Sequence, residues 1–144
     1  MSVTDQYSAF QKFREIFSGT ILTDESSLLM YSTDASAYKE KPAAVFIPEN
    51  DEDLKQIVAF AAESKQAIIP RTAGTSLAGQ VVGNGIIVDL SRHFRSVLEF
   101  NKEEKWISVQ PGVVLDELNM MLEPFGLFFG PETSTSNRCM VGGM

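Results

Sequence analysis

The sequence predicts an α/β fold of mixed α+β character, a small βαβ sheet flanked by helices and followed by a hairpin, and three observations carry that expectation. The apolar run Ala43-Ala-Val-Phe-Ile47, a helix-patterned stretch after Asn50 and a second apolar run, Ala67-Ile-Ile-Pro70, follow one another at the spacing of a βαβ unit. Two further strand-like runs, 96–100 and 106–109, flank the polar turn Asn101-Lys-Glu-Glu-Lys105, as a hairpin requires. At the carboxyl end of the second βαβ strand lies the small-residue loop Arg71-Thr-Ala-Gly-Thr-Ser-Leu-Ala-Gly-Gln80, the end at which open α/β sheets bind ligands.

Each element has a local reason. Phe10, Phe13 and Phe17 recur at helical spacing and predict a helix over 5–17. Thr23-Asp-Glu supplies a cap and an acidic first turn for a short helix carrying Leu28, Leu29 and Tyr31. Residues 1–38 therefore read as a helical lead-in. Pro48 closes the strand at 43–47, Asn50 caps the next helix, and Leu54, Ile57, Val58 and Ala61 give it one apolar face. Residues 85–90 form another strand candidate. From Val114 a helix carries Leu115, Leu118, Met121 and Leu122, with Gly126 where the chain leaves it. The apolar residues from Leu127 predict a strand running into the small polar loop Pro131-Glu-Thr-Ser-Thr-Ser136.

Composition narrows the function classes. The 144 residues are 44% hydrophobic and 22% charged, an ordinary globular balance for one domain. A formal charge of -7 and a pI near 4.7 argue against nucleic acid and anionic membrane surfaces, which need Lys/Arg clusters. No stretch approaches the roughly 20 apolar residues of a spanning helix. Met1-Ser-Val-Thr-Asp-Gln-Tyr7 lacks the basic start and apolar centre of a secretory signal. With a single cysteine, Cys139, the expected compartment is the cytoplasm.

Two loops are the candidate sites. In the first, Gly74 and Gly79 permit positive φ and Thr75 and Ser76 add hydroxyls to a nest of amides, which suits a diphosphate. It is neither a Walker loop nor a Gly-x-Gly-x-x-Gly fingerprint, and the residues alone favour a tight connection between strands. In the second, residues 131–136 with Gly142 and Gly143 let a flat ligand approach the backbone; an ordinary surface loop is the other reading. His93 reads as a solvated loop histidine, one histidine and one cysteine cannot assemble a standard zinc site, and Cys139 has no partner base. No catalytic residue and no metal ligand is expected in this chain.

Taken together, the two loops resemble those of the PCMH-type FAD-binding domain of vanillyl-alcohol-oxidase-type flavoproteins. Pro70-Arg-Thr-Ala-Gly-Thr-Ser76 is similar to the family's pyrophosphate loop, Val109-Gln-Pro-Gly-Val113 to the segment entering the next helix, and Pro131-Glu-Thr-Ser-Thr135 with Cys139-Met-Val-Gly-Gly143 to the second flavin loop. Tyr31-Ser-Thr-Asp-Ala-Ser36 and Gly74-Thr-Ser-Leu-Ala-Gly-Gln80 most resemble the FAD-linked D-lactate and D-2-hydroxyglutarate dehydrogenase-like branch, whose long members carry iron–sulfur clusters further along. The resemblance implies that Arg71, Ala73, Gly74, Thr75 and Ser76, with Gly79 and Gln80, cradle the pyrophosphate. Pro131, Glu132, Thr133, Ser134 and Thr135, with Met140, Gly142 and Gly143, would lie along the ribityl chain and the ring. Thr75 stands where some members carry a flavin-linking histidine, so the implied FAD is noncovalent.

The implied partners are a small 2-hydroxy acid, oxidised by hydride transfer to flavin N5, and an electron acceptor. The ending Met140-Val-Gly-Gly-Met144 has no charge or polar tail and reads as the cut end of an N-terminal fragment. Such a fragment would be inactive alone, would bind FAD weakly or not at all, and would self-associate through an uncovered apolar face; any clusters would lie outside it. A flavin enzyme of the same fold with another substrate, similar to UDP-N-acetylmuramate reductases or sugar-acid oxidases, is an alternative. A non-catalytic nucleotide-binding module is another.

Overall fold

A computed structural model gives the architecture of residues 3–144, with side chains described from residue 8 onward; Met1 and Ser2 lie outside the described residues. The elements run α1 (Val3–Arg14), β1 (Thr20–Leu22), α2 (Glu25–Met30), β2 (Ala44–Ile47), α3 (Asp51–Ser64), β3 (Ile68–Arg71), β4 (Ile86–Asp89), β5 (Val97–Asn101), β6 (Trp106–Val109) and α4 (Leu115–Leu122). Single 3₁₀ turns follow at Glu123–Phe125 and Val141–Gly143.

Capping sets the helix starts. The Asn50 carboxamide accepts from the Asp53 N–H at 3.0 Å, and the Asp24 carboxylate accepts from the Ser27 N–H at 3.0 Å. Asp53 is itself buried, and its two oxygens accept from the Ser18 and Glu49 N–H groups at 3.0 and 2.8 Å. The acidic start of α3 thus ties the helix to the chain ahead of it. Helix α1 stops at Arg14 rather than 17, because the chain tightens there, with the Ile16 N–H on the Phe13 carbonyl. Phe17 nonetheless packs with Phe10 and Phe13.

The main sheet has the order β1-β2-β4-β3, with β2, β4 and β3 parallel and β1 antiparallel on the β2 edge. The unit β2–α3–β3 is therefore a crossover that skips one position, which β4 fills. Burial explains the order. Strands β2 and β4 are buried at every residue, as apolar runs covered on both faces must be. Strand β3 carries Pro70, which cannot donate to a second neighbour, and it takes the edge. Strand β1, inside what reads from sequence as a helical lead-in, is an additional element too short to show a period.

One sheet face, through Ala44, Phe46, Ile86 and Val88, packs beneath α1 and α3 against Phe10, Phe13, Phe17 and Ile57. The opposite face, through Val45, Ile47 and Ile87, packs on Leu28 of α2. A separate cluster seats Val113, Leu118 and Leu122 on Phe100, Ile107 and Val109 of the β5–β6 hairpin. Gly126 leaves α4 with φ 67°, as its position suggests. The strand expected from Leu127 does not form. There the Asn119 side chain accepts from the Phe129 N–H at 2.7 Å and donates to its carbonyl at 3.4 Å, taking the place of a neighbouring strand.

Candidate functional site

The first loop leaves the carboxyl end of β3 and returns to the start of β4 without a helix. Its N–H groups at Ala73, Gly74, Thr75 and Ser76 donate to no protein acceptor among the described residues. Gly74 has φ 67°, a left-handed turn that aims successive amides to one side. The Ser76 hydroxyl bonds the Gln80 side-chain oxygen and accepts from the Ala78 N–H at 3.2 Å, so both side chains are spent in closing the loop.

Beside the loop lies a half-buried brace. Arg71 Nη1 donates to the carbonyls of Tyr31 and Val81 at 3.3 and 3.4 Å, and its guanidinium carbon sits 5.3 Å from the centre of the Tyr31 ring. The Tyr31 hydroxyl donates to buried Asp89 at 2.5 Å, and the other Asp89 oxygen accepts from the Ser91 N–H at 2.8 Å. Burial, then the hydrogen bond and charge of Asp89, push the Tyr31 hydroxyl up to about 12. Since Arg71 and Asp89 are register partners in β3 and β4, the brace joins both strand ends to the end of α2.

The second loop is mounted differently. Val114, at the start of α4, offers no side-chain cap; instead the Cys139 and Ser136 carbonyls accept from the Leu115 and Asp116 N–H groups at 3.1 and 3.2 Å. The Val141 N–H donates to the Val113 carbonyl and the Gly142 N–H to that of Pro111, both at 2.9 Å. Gly142 is required by proximity: a Cβ there would lie 2.4 Å from Pro111 Cβ. Within the loop, Thr133 Oγ1 and buried Cys139 Sγ are 3.0 Å apart.

The two loops face one cleft of about 840 Å³. Arg71, Ala73, Gly74, Thr75 and Ser76 line one wall, Thr133, Ser134 and Thr135 the other, and Gly143 closes an end. Gln80 and Gly142 line a smaller hollow of about 300 Å³ shared with Gly74, Thr75, Ser76 and Gly143. Gly79 lies apart, packed against Tyr38 in a separate hollow. Pro131, Glu132 and Met140 line neither the cleft nor the small hollow.

Sequence reasoning missed a third wall from 30–35, as well as Arg138. The Ala35 N–H donates to the Gly74 carbonyl at 3.2 Å, and one Asp34 oxygen accepts from the Ser36 N–H at 2.8 Å. The other Asp34 oxygen is buried with no partner. The available signal was Asp34-Ala-Ser36, an Asx-turn spacing ahead of the sheet. Among the described residues no group of three potential metal ligands occurs, and His93 is exposed beyond β4.

A family described as an FAD binding domain matches residues 42–144. The chain belongs to this FAD-binding family. The D-2-hydroxyglutarate dehydrogenase of Haemophilus influenzae is 46% identical over 131 residues, which are 89% of this chain and 13% of that protein. Glycolate oxidase subunit GlcD of Bacillus subtilis is 34% identical over 117 residues, 80% of this chain and 25% of the subunit. The chain thus spans a minor part of its curated relatives' length. Among solved structures, an alkyldihydroxyacetonephosphate synthase superposes with a TM-score of 0.79 at 19% identity, covering 94% of this chain and 30% of that one. p-Cresol methylhydroxylase superposes at 0.72 and 20% identity, covering 85% and 25%. These likenesses establish the fold.

The chain's own residues fit such a cofactor. Amides without protein acceptors and half-buried hydroxyls suit a diphosphate, and the cleft volume falls within the usual range for ligand sites. The unpartnered Asp34 oxygen suits a hydroxyl or N–H donor.

Proposed function

We propose that this chain is the diphosphate-holding part of the FAD site in an enzyme that oxidises a D-2-hydroxy acid of the lactate or 2-hydroxyglutarate class. The observation that carries this reading is the convergence of the two loops on one cleft, with a run of backbone N–H groups on one wall left without acceptors among the described residues. In this reading the amides of Ala73, Gly74, Thr75 and Ser76 hold the diphosphate. Gln80 keeps Ser76 in place, and Arg71 and Gly79 shape the loop. Thr133, Ser134, Thr135, Gly142 and Gly143 run beside the ribityl chain and ring, with Pro131, Glu132 and Met140 setting the course of that loop.

FAD, when bound, supplies the two-electron acceptor for hydride leaving the substrate α-carbon. The chain's own contribution is binding and orientation; substrate contacts beyond this cleft, any iron–sulfur clusters and passage of electrons to an acceptor are assigned to parts of the protein outside it. The similarity to D-2-hydroxyglutarate dehydrogenases and glycolate oxidase subunits supports the substrate class. Noncovalent binding follows from Thr75, which has no flavin-linking nucleophile. The cleft is open, so affinity of this chain alone for FAD should be weak. Exposed Phe128 and Met120, at 74% and 64%, support self-association, which sedimentation would detect. No helix among the described residues is long and apolar enough to cross a membrane, and the single cysteine supports a cytoplasmic assignment.

Two measurements test the reading. The chain should bind FAD and ADP at high concentration but not riboflavin, which lacks phosphate; riboflavin binding equal to that of FAD would remove the diphosphate role. The full-length protein loaded with FAD should reduce an artificial acceptor dye with D-lactate or D-2-hydroxyglutarate. Activity with neither acid would sink the substrate assignment.

A further inference from the structure

Two guanidinium groups line the cleft, and they are differently engaged. That of Arg71 is held between the Tyr31 ring and the first loop, bonded to the carbonyls of Tyr31 and Val81, and a Cβ on Gly74 would come within 2.6 Å of its Nη2. Its Nη1 points at protein oxygens, and the guanidinium packs against Gly74 of the loop. Arg138 lies on the opposite wall, with its backbone fixed by the N–H to the Thr135 carbonyl at 2.8 Å. Its exposed side chain makes, among the described residues, one hydrogen bond, to the neighbouring Asn137 at 3.1 Å, and none of the ion pairs involves it.

A guanidinium has five N–H donors in a planar fork, which matches two oxygens of one phosphate or carboxylate. With a formal charge of -7, the chain as a whole repels an anion, so an anionic ligand needs a local cation. Among the described residues lining the cleft, Asp34, beside the first loop, is the only one with a carboxylate side chain. It adds negative charge beside the first-loop amides, so an anion held in the cleft needs a cationic side chain to offset it.

We propose that Arg138 is the anion-recognising side chain of the cleft, gripping an oxyanion of the bound ligand, while Arg71 is a positioning residue that never meets it. The inference rests on the flavin-site reading and assigns a charge contact within it. The oxyanion is either the diphosphate of the cofactor or the carboxylate of the hydroxy acid, and ligand fragments separate these sources.

The test is a chemical-shift titration of the 144-residue chain with FAD, ADP and D-2-hydroxyglutarate, for wild type, Arg138→Gln, Arg138→Lys and Arg71→Gln, at two salt concentrations. Arg138→Gln should weaken an anionic probe about tenfold or more, the loss of one charge-assisted hydrogen bond. It should flatten the salt dependence of binding and leave the thermal midpoint unchanged, with Arg138→Lys recovering part of the affinity. Weakened ADP and FAD assign the grip to the diphosphate; weakened hydroxy acid alone assigns it to the carboxylate. Arg71→Gln should lower the thermal midpoint and weaken binding with the salt dependence intact. If Arg138→Gln binds every probe as wild type does, the proposal is overturned and the flavin reading stands. If Arg71→Gln alone removes the salt dependence, the two arginines have been assigned the wrong way round. Where the wild-type chain binds too weakly to titrate, FAD retention is compared in the full-length protein, and equal retention by Arg138→Gln and wild type there overturns the proposal.

Discussion

The two loops that share the cleft are built on different principles. The first hangs between two parallel strands and takes its shape from side chains: Arg71 beneath Gly74, Tyr31 beneath Arg71, and Asp89 holding Tyr31. The second takes its shape from backbone, through carbonyls of Cys139 and Ser136 on the first amides of α4 and N–H groups of Val141 and Gly142 on the carbonyls of Val113 and Pro111. The first is backed by the aromatic and aliphatic core of the main sheet, the second by the smaller cluster between α4 and the hairpin. A side-chain scaffold fails when one member is truncated, whereas a backbone scaffold fails when something is inserted or its supporting helix loosens. The two regions should therefore respond to different substitutions.

The largest effects lie in the cores. Phe46→Ala removes a fully buried ring in contact with Phe10, Phe13 and Phe17, and should cost about 3–5 kcal/mol. Leu118→Ala should cost about 2–5 kcal/mol from the α4 cluster. Denaturant unfolding gives the totals, and hydrogen exchange separates the regions. Leu118→Ala should speed exchange through α4 and the 141–143 turn while β2 and β4 stay protected. Uniform loss of protection would break the comparison, making the two regions one cooperative unit.

Smaller effects come from the glycines. Gly142→Ala forces a Cβ onto Pro111 and should cost about 1–3 kcal/mol, with the second loop displaced. Gly74→Ala meets a left-handed backbone, worth about 1–2 kcal/mol, and also crowds the Arg71 guanidinium. Denaturant midpoints measure both. If Gly74→Ala were the more damaging at the second loop, by exchange at 139–143, the loops would be coupled more tightly than their separate supports imply.

Much of this arrangement was legible in the sequence because it rests on local rules. Asn50 and Asp24 cap as their types suggest, Gly126 ends its helix, and the small residues of both loops stood out as candidates before the cleft that many of them line was known. The order of the strands was not legible, because the identity of β4's neighbours depends on total burial and on Pro70 denying β3 a second partner, neither of which has a period. The strand expected after Leu127 failed for a related reason: Asn119, ten residues earlier, satisfies the Phe129 backbone, and no local pattern announces that pairing. Asp34 and Arg138 were missed because a lone charge in a polar stretch looks solvated until the fold brings it to a wall. The role of Arg71 needed Tyr31, forty residues away, to be seen.

The mildest test addresses the brace itself. At neutral pH Tyr31→Phe deletes one hydrogen bond to Asp89 and should cost about 0.5–1.5 kcal/mol. Its sharper signature is in alkali. The hydroxyl moves from its ordinary 10.0 up to about 12 in the folded chain, so folding favours the protonated form. That contribution is complete below pH 10.0 and is lost as pH rises through about 12, because the unfolded chain releases its proton first. All other groups are common to both proteins, so the difference between wild type and Tyr31→Phe in denaturant unfolding isolates the tyrosine. The wild type should lose its advantage over that window and the variant should lack that loss. Since the Tyr31 ring supports Arg71, and Arg71 supports Gly74, wild-type affinity for ADP should fall over the same interval. Parallel stability curves for the two proteins would remove Tyr31 from the brace and, with it, the claim that a chain of side chains supports the first loop.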